Sequence, residues 1–212
     1  TVVRLAELPT IVAIKEASAN VEKLSEIGMQ LLTQNTAAAR GEAINKFQQA
    51  LALWQAAKDK GNEAWALYIL AYTLNIHGDY QKAFETAEQG LSVARSAGVR
   101  ATEAYLLDEV GMSYNNRGER SKALEFFKQA LPLRSETDPE GLAHTLTNLG
   151  IAYAWIGDNA KALTYMEQAA ALMREVGEAR KESTILGNIC VVQRDLGRGE
   201  EREAPIPDAL LA

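Results

Sequence analysis

The sequence predicts an all-α fold, a right-handed superhelical solenoid of antiparallel helix pairs, and three observations support this. Over 212 residues there are only 5 prolines and 7% aromatic residues, whereas Ala, Leu, Glu, Lys and Gln are abundant, which favours helix over sheet. A pattern of small and apolar residues recurs along the chain, and glycines recur at the same step. A fixed period indicates stacked units that bury their apolar faces only against their neighbours.

The repeat is clearest in three stretches, 70–91, 110–131 and 149–170, which align without gaps. Each has one small residue in its first helix and two in its second, which would let the paired helices approach closely. Glycines expected to end the first helices in the left-handed conformation fall at 78, 118, 157 and 197, at spacings of 40, 39 and 40. The small residues of the first helices are Ala71, Gly111 and Gly150.

Other signals mark helix ends between the units. Asp138 followed by Pro139 is typical of a helix start, with Asp as the N-cap and Pro at the first helical position. Gly61, Gly98 and Gly177 are expected to close second helices.

The pattern weakens towards both ends of the repeat region. Residues 43–51 are in register with a second helix, but Ala38 occupies the position of the preceding turn glycine. The first helix of that unit is expected within Val21 to Gln34. Residues 189–197 resemble a first helix that ends at Gly197 and has no following partner.

This arrangement resembles the tetratricopeptide repeat (TPR) family, in a 40-residue version rather than the usual 34. The resemblance covers roughly residues 24–199 and implies a solenoid whose first helices line a concave face. Residues 21–199 are therefore predicted to form about four helix pairs plus one terminal helix. Residues 1–20 are expected to end a preceding domain, and 200–212 form a tail.

Three shorter runs, 50–54, 129–134 and 147–150, are similar to repeats of bacterial proteins that end in a caspase-like CHAT peptidase domain. That resemblance implies a small β-rich domain before the repeats, to which Thr1–Pro9 would contribute the last strand. The start at Thr1 rather than Met also suggests a fragment of a longer protein. No peptidase domain is expected in this chain, so the peptidase activity is not carried over.

Charge and cysteine content exclude several classes of partner. A net charge of −6 and an isoelectric point near 5.1 argue against nucleic acid, which needs clustered Lys and Arg. The single cysteine, Cys190, permits no disulfide framework and is expected to be a small buried hydrophobe. No apolar run reaches the roughly 18 residues of a membrane span, and no signal peptide is recognised. We expect a soluble, cytoplasmic protein, or a periplasmic or extracellular one if it derives from a secreted precursor.

Motifs that carry catalytic chemistry are missing from the sequence. It has no phosphate-binding loop, no His-Glu-x-x-His and no Gly-x-Ser-x-Gly elbow. His77 and His144 are the only histidines, and neither has the companions that a metal site requires. We therefore expect neither an enzyme nor a bound metal or cofactor.

Helical periodicity predicts which first-helix side chains face the concave groove of such a fold. The set is aromatic, amide-rich and acidic, although core packing is the alternative for each member. The predicted groove residues are Trp65, Tyr68, Tyr72, Asn75, Tyr105, Asp108, Glu109, Met112, Asn116, His144, Thr147, Asn148, Ile151, Trp155, Asn188 and Arg194. The family resemblance implies that Asn148 and Asn188 grip the backbone of a bound peptide.

The chemistry of these positions indicates which ligand would fit. Relatives that bind acidic chaperone tails use Lys and Arg, but the matching positions here are Tyr68, Tyr72, Asp108 and Met112. An extended peptide with apolar or basic side chains suits this wall better.

The leading hypothesis is a protein- or peptide-binding scaffold, acting as the sensor or regulatory part of a larger protein. The alternative is an architectural spacer or a self-association module that acts through its ends. For the C-terminal end, helical spacing predicts an open apolar stripe, covered by Ile206, Leu210 or Leu211 of the same or a neighbouring molecule. The stripe consists of Ile185, Ile189, Val192 and Leu196.

Overall fold

The computed structural model describes residues 19–134 and 138–203, and all regular structure in these residues is helical. The predicted all-α class is thereby confirmed. A short 3-10 turn, Leu131–Leu133, follows α6. The helices in chain order are α1 (19–33), α2 (Ala37–Ala57), α3 (Lys60–His77), α4 (Tyr80–Ala97), α5 (Arg100–Asn116), α6 (Arg120–Ala130), α7 (Pro139–Ile156), α8 (Asn159–Glu175) and α9 (Ala179–Glu203).

The chain forms two compact units that divide between Leu133 and Arg134. The first unit contains α1 to α6 and the second contains α7 to α9. Within each unit, consecutive helices pack as antiparallel neighbours, and the first helices α3 and α5 are also in contact.

The turn glycines adopt the predicted conformation where a left-handed residue is needed. Gly78, Gly118 and Gly157 have φ values of +97°, +81° and +93°, in the region that disfavours residues with a Cβ. Gly98 and Gly177, at +68° and +78°, follow the second helices as expected. These local requirements explain the spacing of the glycines in the sequence.

Three of the predicted helix ends are wrong. Gly61 lies inside α3, because the left-handed cap of α2 is Lys58, at φ +56°. Ala38 lies inside α2, and the turn before α2 instead uses Asn35, at φ +51°. Gly197 lies inside α9, which continues to Glu203. A glycine that is not at a helix end costs about 1 kcal/mol relative to Ala, which a long helix tolerates.

Close packing explains the small residues of the repeat. A Cβ on Gly111 would lie 2.5 Å from Cε1 of Phe127, and one on Gly150 would lie 2.6 Å from Cγ of Met166. Each contact joins a first helix to its own second helix, as the repeat pattern predicts. Gly28 on α1 has the same relationship to Phe47, at 2.6 Å, which the sequence reading missed because this unit departs from the common spacing.

Three turns share an ion pair at the start of the second helix. The Lys Nζ lies 2.7 Å from Oδ2 in Asp79–Lys82, 2.6 Å from Oε2 in Glu119–Lys122 and 2.5 Å from Oδ2 in Asp158–Lys161. In each pair the hydrogen bond from the lysine lowers the pKa of the carboxyl group and raises that of the ammonium group. These exposed pairs fix the acidic residue beside the helix N-terminus, where negative charge is favoured.

The apolar side chains of α9 differ from the prediction. Ile185, Ile189 and Val192 are buried, because this face of α9 packs against α8. Cys190 and Val191, on the other side of the helix, are exposed instead. The predicted open stripe and the predicted buried cysteine are therefore both wrong.

Two further predictions fall outside the described residues: a strand within Thr1–Pro9, and the packing of Ile206, Leu210 or Leu211. Across the described ranges, none of the helices combines the length and the apolar character needed to cross a bilayer.

Candidate binding surfaces

An aromatic cluster in the first unit joins α3 to α5. Trp65, Tyr68 and Tyr72 lie on one face of α3, and Tyr105 lies on α5. The ring centroids are 5.0 Å apart for Trp65–Tyr68, 5.8 Å for Trp65–Tyr105 and 4.9 Å for Tyr68–Tyr105. These separations are typical of favourable aromatic pairs. We call the four residues the aromatic wall.

The members of the aromatic wall differ in exposure. Tyr68 is buried and Tyr105 is half-buried, whereas 44% of the surface of Trp65 and 36% of that of Tyr72 remain exposed. The inner rings therefore hold the helices together, and the outer rings face solvent.

A buried polar network lies beside this wall. Nδ2 of Asn75 on α3 donates to Oε2 of Glu109 on α5, at 2.8 Å. The Ser113 hydroxyl lies within donating distance of Oδ1 of Asn75, at 3.2 Å, and of the Glu109 carbonyl oxygen, at 2.9 Å. Asn75, Asp108 and Glu109 are all buried, so they do not line an open surface as predicted.

Burial and negative charge both act on the tyrosine hydroxyls. Burial, followed by the charge of Glu109, raises the pKa of Tyr68 and of Tyr72 above the ordinary value. Both phenols are neutral at physiological pH, as an unshifted tyrosine also is.

The second unit contains a cleft of about 480 Å³ between α7 and α9, with α8 at its floor. Three predicted groove residues, Ile151, Trp155 and Asn188, line it. Trp155 remains 54% exposed. The other lining residues are Ala154, Gly157, Asn159, Met166, Val191, Val192 and Asp195.

Val191 is the most informative residue that the sequence reading missed. It lies one repeat after Ile151, 40 positions along the chain, so the period itself could have identified it. It is an exposed apolar side chain facing the same cleft as Trp155.

The remaining predicted groove residues differ in how exposed they are. Asn148 is buried, with its Nδ2 3.4 Å from Nδ1 of His144. His144, Thr147 and Met112 are half-buried, and Asn116 and Arg194 are exposed. Because Asn148 is buried, it cannot contact a ligand in this conformation.

These surfaces present aromatic rings, aliphatic side chains and amides, with the carboxylate of Asp195 at the cleft. Among the side chains that the structure describes, nowhere do three or more His, Cys, Asp or Glu come together as metal ligands would.

Helices that pack in adjacent pairs, with small residues at their close contacts, define a helical-repeat protein of the tetratricopeptide type. The chain belongs to the tetratricopeptide repeat family, whose sequence model matches residues 40–96 and 102–175. The predicted family is confirmed. No curated protein sequence matches this chain.

Several solved structures share its fold. A Rap protein complexed with competence and sporulation factor is 17% identical, with a TM-score of 0.75 over 86% of this chain and 50% of that one. Aspartyl phosphate phosphatase F from Bacillus subtilis is 16% identical, with a TM-score of 0.68 over 92% of this chain and 50% of that one. TPR-like repeats of a putative kinesin light chain from Podospora anserina are 16% identical, with a TM-score of 0.55 over 86% and 97%. The chain spans half the length of the first two structures, and identities this low show the shared fold alone.

Proposed function

We propose that this chain is a protein- or peptide-binding scaffold that takes an extended peptide along its first helices. The cleft of the second unit is the main support for this proposal, because exposed Trp155 and Val191 side chains flank a cavity large enough for an apolar anchor. The amide of Asn188 lies at the same cleft and can both donate to and accept from a peptide unit.

The proposed contact residues are the members of the predicted set that are exposed or half-buried. The buried members, such as Asn75 and Asn148, are proposed to hold the helices in place instead. The proposed contact set is Trp65, Tyr72, Tyr105, Met112, Asn116, His144, Thr147, Ile151, Trp155, Asn188 and Arg194, and to these we add Val191, a cleft residue outside the predicted set.

A role as the sensor or regulatory part of a larger protein is the second element of the proposal. The association with a CHAT peptidase domain remains a prediction from the resemblance of the repeats. We do not propose an enzymatic activity, because the TPR fold is typically a non-catalytic scaffold.

Self-association through the end of the solenoid is the alternative function. It is favoured by the exposed apolar side chains of Leu186 and Val191 on α9. Light scattering separates the two, because self-association predicts a mass above that of the 23.1 kDa monomer at micromolar concentration.

A peptide-display selection tests the scaffold proposal. Peptides enriched on the wild-type chain are measured against the double variant Trp155→Ala, Val191→Ser. We expect about a tenfold or greater loss of affinity, the usual effect of truncating an aromatic anchor. The matched control is Ile156→Ala, because Ile156 is equally exposed beside Trp155 but lies outside the cleft. Peptides that bind both variants equally well would contradict the proposal.

A further inference from the structure

We propose that the aromatic wall of the first unit binds the guanidinium group of an arginine side chain in the partner peptide. This inference rests on the proposed function, since it names the chemistry of a peptide side chain bound by the first unit. It stands on the geometry of Trp65, Tyr68, Tyr72 and Tyr105, and on the charge beside them.

The exposed ring of Trp65 is the first argument. Two other rings contact Trp65, at interplanar angles of 51° and 85°, yet 44% of its surface stays exposed. Joining α3 to α5 does not require that exposure, because buried Tyr68 and half-buried Tyr105 already make this contact. An indole face is the best of the aromatic partners for a cation, and a planar guanidinium can stack on it.

The charge beside the wall is the second argument. The Glu109 carboxylate on α5 accepts a hydrogen bond from the Asn75 amide on α3, and its negative charge contributes, after burial, to raising the pKa of Tyr68 and of Tyr72. A cation at the rings is attracted by the same charge, and an anion is repelled. The exposed Tyr72 adds a neutral phenol oxygen that can accept from a guanidinium N–H group.

Neutral and anionic ligands fit these observations less well. An apolar side chain would gain from the ring area but not from the negative field, and an acidic side chain would be repelled by it. An arginine side chain gains from both the ring area and the negative charge, because its aliphatic stem covers apolar surface while its guanidinium group remains charged.

The test compares two tripeptides, acetyl-Gly-Arg-Gly-amide and its citrulline analogue, which is a neutral isostere. Binding is followed by the NMR shifts of the backbone amides of α3 and α5, which every variant retains, and in the wild type also by the shift of the Trp65 indole N–H, assigned with the variant Trp65→Leu. We expect the arginine peptide to bind about 2- to 30-fold more tightly than the citrulline peptide, the range of a cation–π contact. The preference should shrink between about 0.05 and 0.5 M salt, since the attraction is screened.

Three variants make the result specific. We expect the preference for arginine over citrulline to disappear in Trp65→Leu. In Trp65→Phe, which keeps an aromatic face, we expect part of that preference to remain. Tyr80→Leu is the control, because Tyr80 is an exposed aromatic of the same unit outside the wall. Equal affinity for the two peptides, or an equal loss in Tyr80→Leu, would overturn the inference.

The outcome is separable from that of the proposed function. The tripeptides carry no apolar anchor for the cleft, so Trp155→Leu should leave the arginine preference unchanged. If displayed peptides depend on the cleft while arginine and citrulline bind Trp65 equally, the scaffold proposal stands and the arginine site is wrong.

Discussion

Nδ2 of Asn75 and Oε2 of Glu109, 34 residues apart in sequence, lie 2.8 Å apart between α3 and α5. The hydrogen bond joins the first helices of two successive repeats through side chains that are both buried. Glu109 occupies the repeat position that Asn148 and Asn188 occupy later in the chain. In the first unit this repeat position therefore contributes a buried hydrogen bond between helices, and in the second unit it contributes the amide of Asn188 at the cleft.

Replacing Asn75 by Ala should destabilise the fold by about 1–3 kcal/mol, because it removes a donor from a buried carboxylate. Urea unfolding followed by circular dichroism measures this. Asn116→Ala is the control, since Asn116 is an exposed amide of α5 and should change stability by less than about 0.5 kcal/mol. Equal stability of the two variants would mean that the buried bond contributes little.

Replacing Gly150 by Leu should overpack the contact between α7 and α8. A Cβ there already lies 2.6 Å from Cγ of Met166 and 3.0 Å from the carbonyl oxygen of Ala162. We expect a cost of about 1–3 kcal/mol, or several degrees in the midpoint of thermal unfolding.

The matched pair Gly150→Ala and Gly187→Ala tests the same contact with a single methyl group. Gly187 lies in α9 with nothing within 4 Å of an added Cβ, so Ala should stabilise that helix by up to about 1 kcal/mol. Opposite signs are expected for the two changes. A stabilising effect of Gly150→Ala would refute the predicted register of the repeat.

Acid should weaken the three turns that carry a lysine–carboxylate pair. Hydrogen bonds from Lys82, Lys122 and Lys161 lower the pKa of Asp79, Glu119 and Asp158. A carboxyl group whose pKa is lowered in the folded state stabilises the fold at pH values above its ordinary pKa of about 4. That stabilisation is lost as the pH falls through the lowered, folded-state pKa.

The urea concentration at the unfolding midpoint should therefore fall less between about pH 5 and 2 in the triple variant Lys82→Met, Lys122→Met, Lys161→Met than in the wild type. Lys23→Met, which alters an exposed lysine of α1, serves as the control. Identical pH profiles for the triple variant and the wild type would show that the pairs do not contribute.

Cys190 should react with a thiol reagent such as Ellman's reagent in the native protein, because it is exposed on α9. As the only cysteine, it reports on this face without interference. We expect a native rate close to that of the urea-unfolded chain. Reaction only at the rate of global unfolding would mean that the face is covered.

Local requirements were readable from the sequence. Gly78, Gly118 and Gly157 each satisfy a need for positive φ at one point of the backbone, and this need leaves a residue type in the sequence. Close approach does the same at Gly111 and Gly150, where only a hydrogen atom fits. The family, the helix pairs and most of their ends follow from these positions.

The exposure of the first-helix side chains was decided by tertiary structure. Trp65 and Tyr105 hold the same repeat position, yet Trp65 is exposed and Tyr105 is half-buried. Asp108, which follows Tyr105 by three residues on the same helix, is fully buried. Helical periodicity gives the direction of a side chain, but its burial depends on how closely the next helix approaches. Cys190 matches Gly111 and Gly150 in the repeat and is nevertheless exposed, because in the described chain no second helix after α9 covers it. The sequence by itself determined the repeat, and the distances between neighbouring helices decided which of its side chains are available to a partner.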